Sequence, residues 1–170
     1  MTDVERKELL GRYAAKIATP GIKREFTNLN ERYDALATGR TPLVEEYKAY
    51  NDPDHPRPHN HKGYNDFQVD YSKCLAVKKA ALNMYRDPLL EVFFSDYQYI
   101  WNLNRVDWEH TARWVYGNKD GTDYGKKEDD LQAFLKFGEP GKEGVVYKWK
   151  IPDGFWDTVI EAIRKDYPDF

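Results

Sequence analysis

Three of the four histidines of the chain, His55, His59 and His61, fall in one short stretch together with Asp52, Asp54 and Asp66. Imidazole and carboxylate are ligands of zinc and other transition metals, and two histidines one residue apart can share an ion on extended backbone. The chain offers no helix-borne histidine pair and only one cysteine, Cys74, to close such a shell. The expectation is therefore a solvated polar loop and no cofactor, with His55, His59 and His61 as the ligands if a metal is held. His110 follows Glu109 between tryptophans, where a general base would need an orienting acid; a solvent-facing histidine beside acids on an amphipathic helix has the same pattern. The patterns G-x-S-x-G, G-x-x-x-x-G-K and G-x-G-x-x-G do not occur, so nucleophile-elbow and nucleotide-loop chemistry lose their usual signals. Residues 118–123 have the Asn and Asp density of a calcium loop. Placing Gly121 at that loop's glycine puts Tyr116 at the first ligand position and Lys127 at the closing one, which excludes it.

The more suggestive constellation is a helix, a glycine-bearing turn and a second helix over residues 106–137, with Trp108 to Tyr116 before the turn and Thr122 to Phe137 after it. Such a pair places its second helix in the major groove of duplex DNA. Thr122, Tyr124, Lys126 and Lys127 would then face bases and phosphates, with Arg113 and Lys119 on the backbone. The order Ala80-Ala81-Leu82, Asp87-Pro88-Leu89-Leu90, Trp108-Glu109-His110-Thr111-Ala112, Tyr124, Lys126-Lys127-Glu128 and Leu131-Gln132-Ala133-Phe134 resembles ArpU-type phage regulators over about residues 75–137. These are sigma-region-4-like transcription factors, and the resemblance implies a phage or prophage regulator that binds duplex DNA.

Charge opposes that reading. Residues 87–137 hold ten acids against six lysines and arginines, whereas a DNA reader gains much of its affinity by neutralising phosphates. Residues 51–86 hold six basic residues against four acids, but Lys73, Lys78 and Lys79 also fit an ordinary solvated helix face. An alternative follows from the acids: Asp120, Asp123, Glu128, Asp129 and Asp130 would meet the basic groove of a protein partner, as an inhibitor or adaptor that replaces nucleic acid.

The elements that must position these residues are read from periodicity. Thr2 and Glu5 form a capping box ahead of Leu9, Leu10, Tyr13, Ala14 and Ile17 on one helical face. Ile22, Phe26, Leu29, Tyr33, Leu36 and Ala37 give a second helix, and Thr41-Pro42 opens a third through Tyr50. Pro53, Pro56, Pro58 and Gly63 make residues 51–67 a surface loop or hinge. Helix resumes near Val69, and Asp87-Pro88 starts another whose apolar residues, Leu89 to Trp101, surround its circumference and place it at the centre of the fold. Val145, Tyr147, Trp149 and Ile151 alternate as a strand, paired either with Phe134 to Phe137 or with Phe67 to Tyr71. A last helix carries Phe155, Trp156, Val159, Ile160 and Ile163.

The chain has 170 residues, 41% hydrophobic and 15% aromatic, with a net charge of -3 and a mean hydropathy of -0.86. That length suits one core and one domain. No apolar run approaches the ~18 residues of a membrane span, and the charged start lacks a secretory apolar core, which points to the cytoplasm. The resulting expectation is a mainly α protein: a single helical domain over 1–170, seven or eight short helices and a small C-terminal β element. Its core is expected to include Leu90, Phe93, Phe94, Tyr97, Trp101, Trp114 and Trp156. Its function is expected to be non-enzymatic DNA binding, with a homodimer matching two half-sites as the assembly considered. The acidic protein-binding module is the alternative, and a metal-dependent enzyme using the histidine loop is third.

Overall fold

The computed structural model describes residues 1–29, 31–52, 55–116 and 129–170. The architecture is mixed α/β, which corrects the mainly α expectation. The first helix is as the sequence indicates: α1 (Asp3–Ala18) opens with Thr2 and Glu5 as a reciprocal capping box. The chain then makes β1 (Lys23–Phe26), β2 (Ala35–Thr38) and β3 (Pro42–Ala49), where helical spacing suggests two helices. Local hydrogen bonding decides between them. Thr27 donates its hydroxyl to the carbonyls of Tyr33 and Asp34, at 2.6 and 3.1 Å, and its N–H to Asp34 at 2.9 Å. A threonine that satisfies its own backbone neighbourhood in this way closes a loop in place of a helical turn.

The residues after β3 form two short strands, β4 (Asn51–Asp52) and β5 (His55–Pro56), a 3-10 turn (His61–Gly63), β6 (Asp66–Asp70) and α2 (Tyr71–Asn83). The apolar run expected as a central helix is a pair of strands, β7 (Asp87–Phe93) and β8 (Tyr97–Asn102), turned at Ser95 and Asp96. Its central placement holds, because a strand covered on both faces has the same unbroken apolar character as a buried helix. Leu90, Phe93, Phe94 and Trp101 are buried, and Tyr97 and Trp156 pack against the core.

The described residues of 106–137 do not form a helix-turn-helix. A four-residue helix, α3 (Trp108–Thr111), passes directly into β9 (Ala112–Tyr116), and the segment read as the second helix contains β10 (Asp129–Lys136), antiparallel to β9. The strand β11 (Val145–Lys150) is present, but it pairs with β8, unlike either expected partner. Gly144 steers it there. Its backbone has φ +76°, and a Cβ would lie 2.6 Å from Val106 Cγ2, so only glycine permits this approach. The helix α4 (Phe155–Asp166) closes the chain. Among the described residues no helix is long and apolar enough to cross a membrane.

The large sheet has the order β1-β2-β3-β7-β8-β11, antiparallel throughout except for the parallel pair β3 and β7. One face packs under α1 and α4 through Leu9, Leu10, Tyr47, Phe93, Ile160 and Ile163. The other packs under α2 and the sheet β6-β10-β9 through Val44, Val77, Leu90, Tyr99, Trp101 and Leu135. The α1 contact is close: a Cβ on Gly11 would fall 2.8 Å from Cβ of Tyr47.

Two core substitutions test this layering. Phe93→Ala is expected to cost about 3 to 5 kcal/mol by cavity formation. Gly11→Ala is expected to destabilise by about 1 to 3 kcal/mol despite its better helix propensity, because overpacking against β3 dominates. Denaturant unfolding measures both, and midpoints unchanged from wild type would contradict the packing described.

Candidate active site

Period-two alternation on β3 puts Val44, Glu46 and Lys48 on the face toward α2, and Glu45, Tyr47 and Ala49 on the face toward α1. Its ladder with β2 covers Pro42 to Glu45 and ends at the pair Ala35 and Glu45. The next residue of the β2 side, Asp34, donates its N–H to Glu45 O at 3.0 Å. Its carboxylate then takes over the ladder: Oδ2 accepts the N–H of Tyr47 at 2.8 Å. Beyond that point β3 keeps β7 on one side and no strand among the described residues on the other. A fork opens there between β2 and β3, with Asp34 opposite Glu46 when the register is extended by one residue. Arg12, reaching from α1, lies 3.3 Å from Asp34 Oδ1.

Glu46 is 3% exposed. Its Oε1 lies 3.1 Å from Lys48 Nζ and 3.2 Å from Lys73 Nζ of α2. Burial and then the charge of Asp34 push the Glu46 carboxyl up to about 7, against the opposing pull of the two lysines. Lys48 is held above its ordinary value: burial disfavours its charge, but the charge and hydrogen bond of Glu46 outweigh that cost.

A cavity of about 480 Å³ opens beside Lys48 and is lined by Lys7, Glu8, Arg57, Gln68, Asp70 and Gln132 among others. Two of its polar atoms, Glu8 Oε2 and Arg57 Nε, are buried and have no hydrogen-bond partner. Behind β3, on the α1 face, Glu45 and Glu91 are buried beside Arg24, which lies 2.9 Å from Glu45 Oε2, and Tyr47 donates its hydroxyl to the same carboxylate. Burial and the charge of Glu45 hold the Glu91 carboxyl well above the usual range.

The residues singled out by sequence lie elsewhere. Lys119, Asp120, Thr122, Asp123, Tyr124, Lys126, Lys127 and Glu128 lie outside the described residues. Arg113 sits in β9 opposite Gln132, while Asp129 and Asp130 in β10 face Tyr116 and Val115 across the ladder. His55 is in β5 opposite Asp52. His59 is held by Asp96, which accepts its N–H at 2.9 Å and faces its ring Nδ1 at 2.7 Å, among the rings of Phe94, Tyr97, Tyr99 and Phe137. His61 is exposed. Trp114 is in β9. His110 Nδ1 lies 2.7 Å from Asp107 on the exposed surface. With Glu109 these form the one cluster of three potential ligands found among the described residues, all of them exposed.

Asp34, Glu46, Lys48 and Arg57 do not stand out by residue type. The signal lies in the alternation of Val44, Glu46 and Lys48, which gives an acid and a lysine on one strand face. The Thr41-Pro42 helix-start pattern masks it. Comparison with known proteins gives no match to a family model, to a curated protein or to a solved structure.

The position of Glu46 has a pH consequence. Its carboxyl binds a proton more tightly in the folded chain, at about 7, than at the ordinary 4.5, so ionising it opposes folding. Its contribution to stability is fully present below 4.5 and is lost as pH rises to about 7. Glu46→Gln removes that dependence. Its melting midpoint relative to wild type is expected to rise across this window, and a difference independent of pH in thermal scans would refute the assignment.

Proposed function

We propose that the chain is a divalent-metal-dependent phosphodiesterase acting on nucleic acid, with Asp34 and Glu46 as metal ligands and Lys48 as the catalytic cation. The observation that carries this reading is the fork: Asp34 and Glu46 at opposed register positions one residue past the end of a ladder, the charge of Asp34 felt at Glu46, and a lysine two residues along the Glu46 strand face. Hard divalent cations such as magnesium take oxygen ligands and are typically held by one or two carboxylates together with substrate phosphate. A carboxyl at about 7 in contact with two ammonium groups is a site already balanced by positive charge.

A bound cation would polarise a phosphoryl oxygen and acidify water. The chain's own residues do the rest. Glu46 and Asp34 would hold such a cation in place of their contacts with Lys48, Lys73 and Arg12. Lys48 would then hold a non-bridging phosphate oxygen or the attacking water as negative charge develops. Hydrolysis makes one bond from water oxygen to phosphorus and breaks one from phosphorus to a bridging sugar oxygen, which takes up a proton. Lys7, Lys48 and Arg57 line the cavity together with Glu8 and Asp70, and Lys73 reaches Glu46 from α2, so cations for phosphate are at hand beside the carboxylates. The nucleic-acid partner expected from sequence is retained here as substrate, and the cytoplasm is the compartment in which this reading places it.

The test is cleavage of labelled DNA and RNA, single-stranded and duplex, with magnesium or manganese and with chelator. Cleavage is expected with metal, none with chelator, and a loss of about 100-fold or more in Glu46→Gln and Lys48→Ala. Absence of cleavage with either metal, or equal cleavage by wild type and both variants, would overturn the proposal.

A further inference from the structure

We infer that the cavity beside Lys48 is a subsite for one unpaired nucleotide, in which Arg57 grips a phosphate next to the one cleaved. This rests on the phosphodiesterase reading and deepens it to a substrate class. Arg57 leaves the chain just after β5, and its backbone is fixed at both ends. Its N–H donates to Tyr50 O at 3.2 Å, and its carbonyl accepts the N–H of Ser95 at 2.9 Å. Its guanidinium lies over the Tyr50 ring, 4.8 Å from the centroid. A guanidinium held this way has lost its conformational freedom before any ligand arrives.

Among the described residues no carboxylate forms an ion pair with Arg57, although Glu8 and Asp70 line the same cavity, and its Nε is buried without a hydrogen-bond partner. An unmatched buried donor is costly, and it belongs to an arginine whose guanidinium lines a cavity in which an anion would supply the missing partner charge. The planar fork fits phosphate oxygens in pairs, which an ammonium does not.

The rest of the cavity fits the other parts of a nucleotide. Lys48 and Lys7 add positive charge on the β3 and α1 sides. Across from them Gln132 donates to Asp70 Oδ1 at 2.7 Å, and Gln68 donates to Gln132 Oε1 at 3.5 Å, an amide wall suited to sugar hydroxyls and base edges. Glu8 Oε2, buried and unpartnered, accepts from a hydroxyl or an exocyclic amine. A volume of about 480 Å³ suits a single nucleotide. On this inference the strand entering the site presents an unpaired nucleotide beside the scissile bond.

Binding in chelator separates this inference from the cleavage reading, because it needs no metal. A short fluorescent single-stranded oligodeoxynucleotide, its duplex, a nucleoside monophosphate and inorganic phosphate would be titrated against wild type, Arg57→Ala and Arg57→Lys, with thermal midpoints as the folding control. The single strand is expected to bind wild type more tightly than the duplex. Arg57→Ala is expected to weaken it about tenfold or more, and Arg57→Lys to restore only part of that, since the fork is lost while the charge remains. The nucleoside monophosphate is expected to compete with the oligonucleotide better than inorganic phosphate does. Equal affinity for single strand and duplex, or folded Arg57 variants with wild-type affinity, would overturn the subsite even if cleavage were found. Arg57-dependent binding without cleavage in magnesium or manganese would leave the subsite standing and remove the phosphodiesterase.

Discussion

The strand β3 carries Glu45, Glu46, Tyr47 and Lys48 in succession through the middle of a sheet, and the structure around it is arranged to pair them. Both glutamates are almost completely buried. Taking charges out of water costs several kcal/mol each unless partners and hydrogen bonds offset it. The two faces solve this differently. Toward α1, Glu45 takes Arg24 and the Tyr47 hydroxyl, and burial beside Glu45 raises the Glu91 carboxyl well above the usual range. Toward α2, Glu46 takes Lys48 and Lys73. Apolar residues of similar size would hold the same sheet together at less cost, so stability alone does not account for this strand.

Asp34 shows what the arrangement is for. A regular ladder would have continued past Ala35 and covered Glu46 with another strand. Asp34 ends it by giving Tyr47 N–H a carboxylate where a backbone carbonyl would have been, so the backbone donor is satisfied and the strand edge stays open. The same carboxylate therefore has a structural bond through Oδ2 and a buried ion pair with Arg12 at Oδ1. On the proposed reading Oδ2 keeps the carboxylate in place while Arg12 would give way to the cation.

The parts of the fold legible in sequence are those whose signals are local. The capping box of α1, the stripe of Cys74, Val77 and Ala81 in α2, the alternation of Val145 to Ile151 and the amphipathic C-terminal helix are each set by a few neighbouring residues. The central strands were hidden because both faces of β7 are covered, leaving Leu89 to Phe94 without alternation to distinguish it from a buried helix. For β2 and β3 the obstacle was different. Leu36 and Val44 fit helical spacings as well as strand ones, and only the pairing of β3 with β7, distant in sequence, makes the strand pattern win. The candidate site depends on that pairing, so reading Glu46 and Lys48 as solvated helix charges loses the site together with the strand.

Topology explains why the site and the cavity are in the same place. The parallel pair β3 and β7 cannot be joined by a hairpin, and the chain must leave the end of β3, cross one face and return. The helix α2 performs the crossover, but the segment before it, from Tyr50 to Asp70, is longer than the return path needs. That excess contributes Arg57, Gln68 and Asp70 to the cavity wall, and the helix itself brings Lys73 to Glu46. His59, held by Asp96 against the aromatic end of β8, fixes this excursion to the sheet. One of the three histidines offered by sequence as metal ligands thus acts as an anchor, and the loop it anchors brings Arg57 to the cavity beside β3.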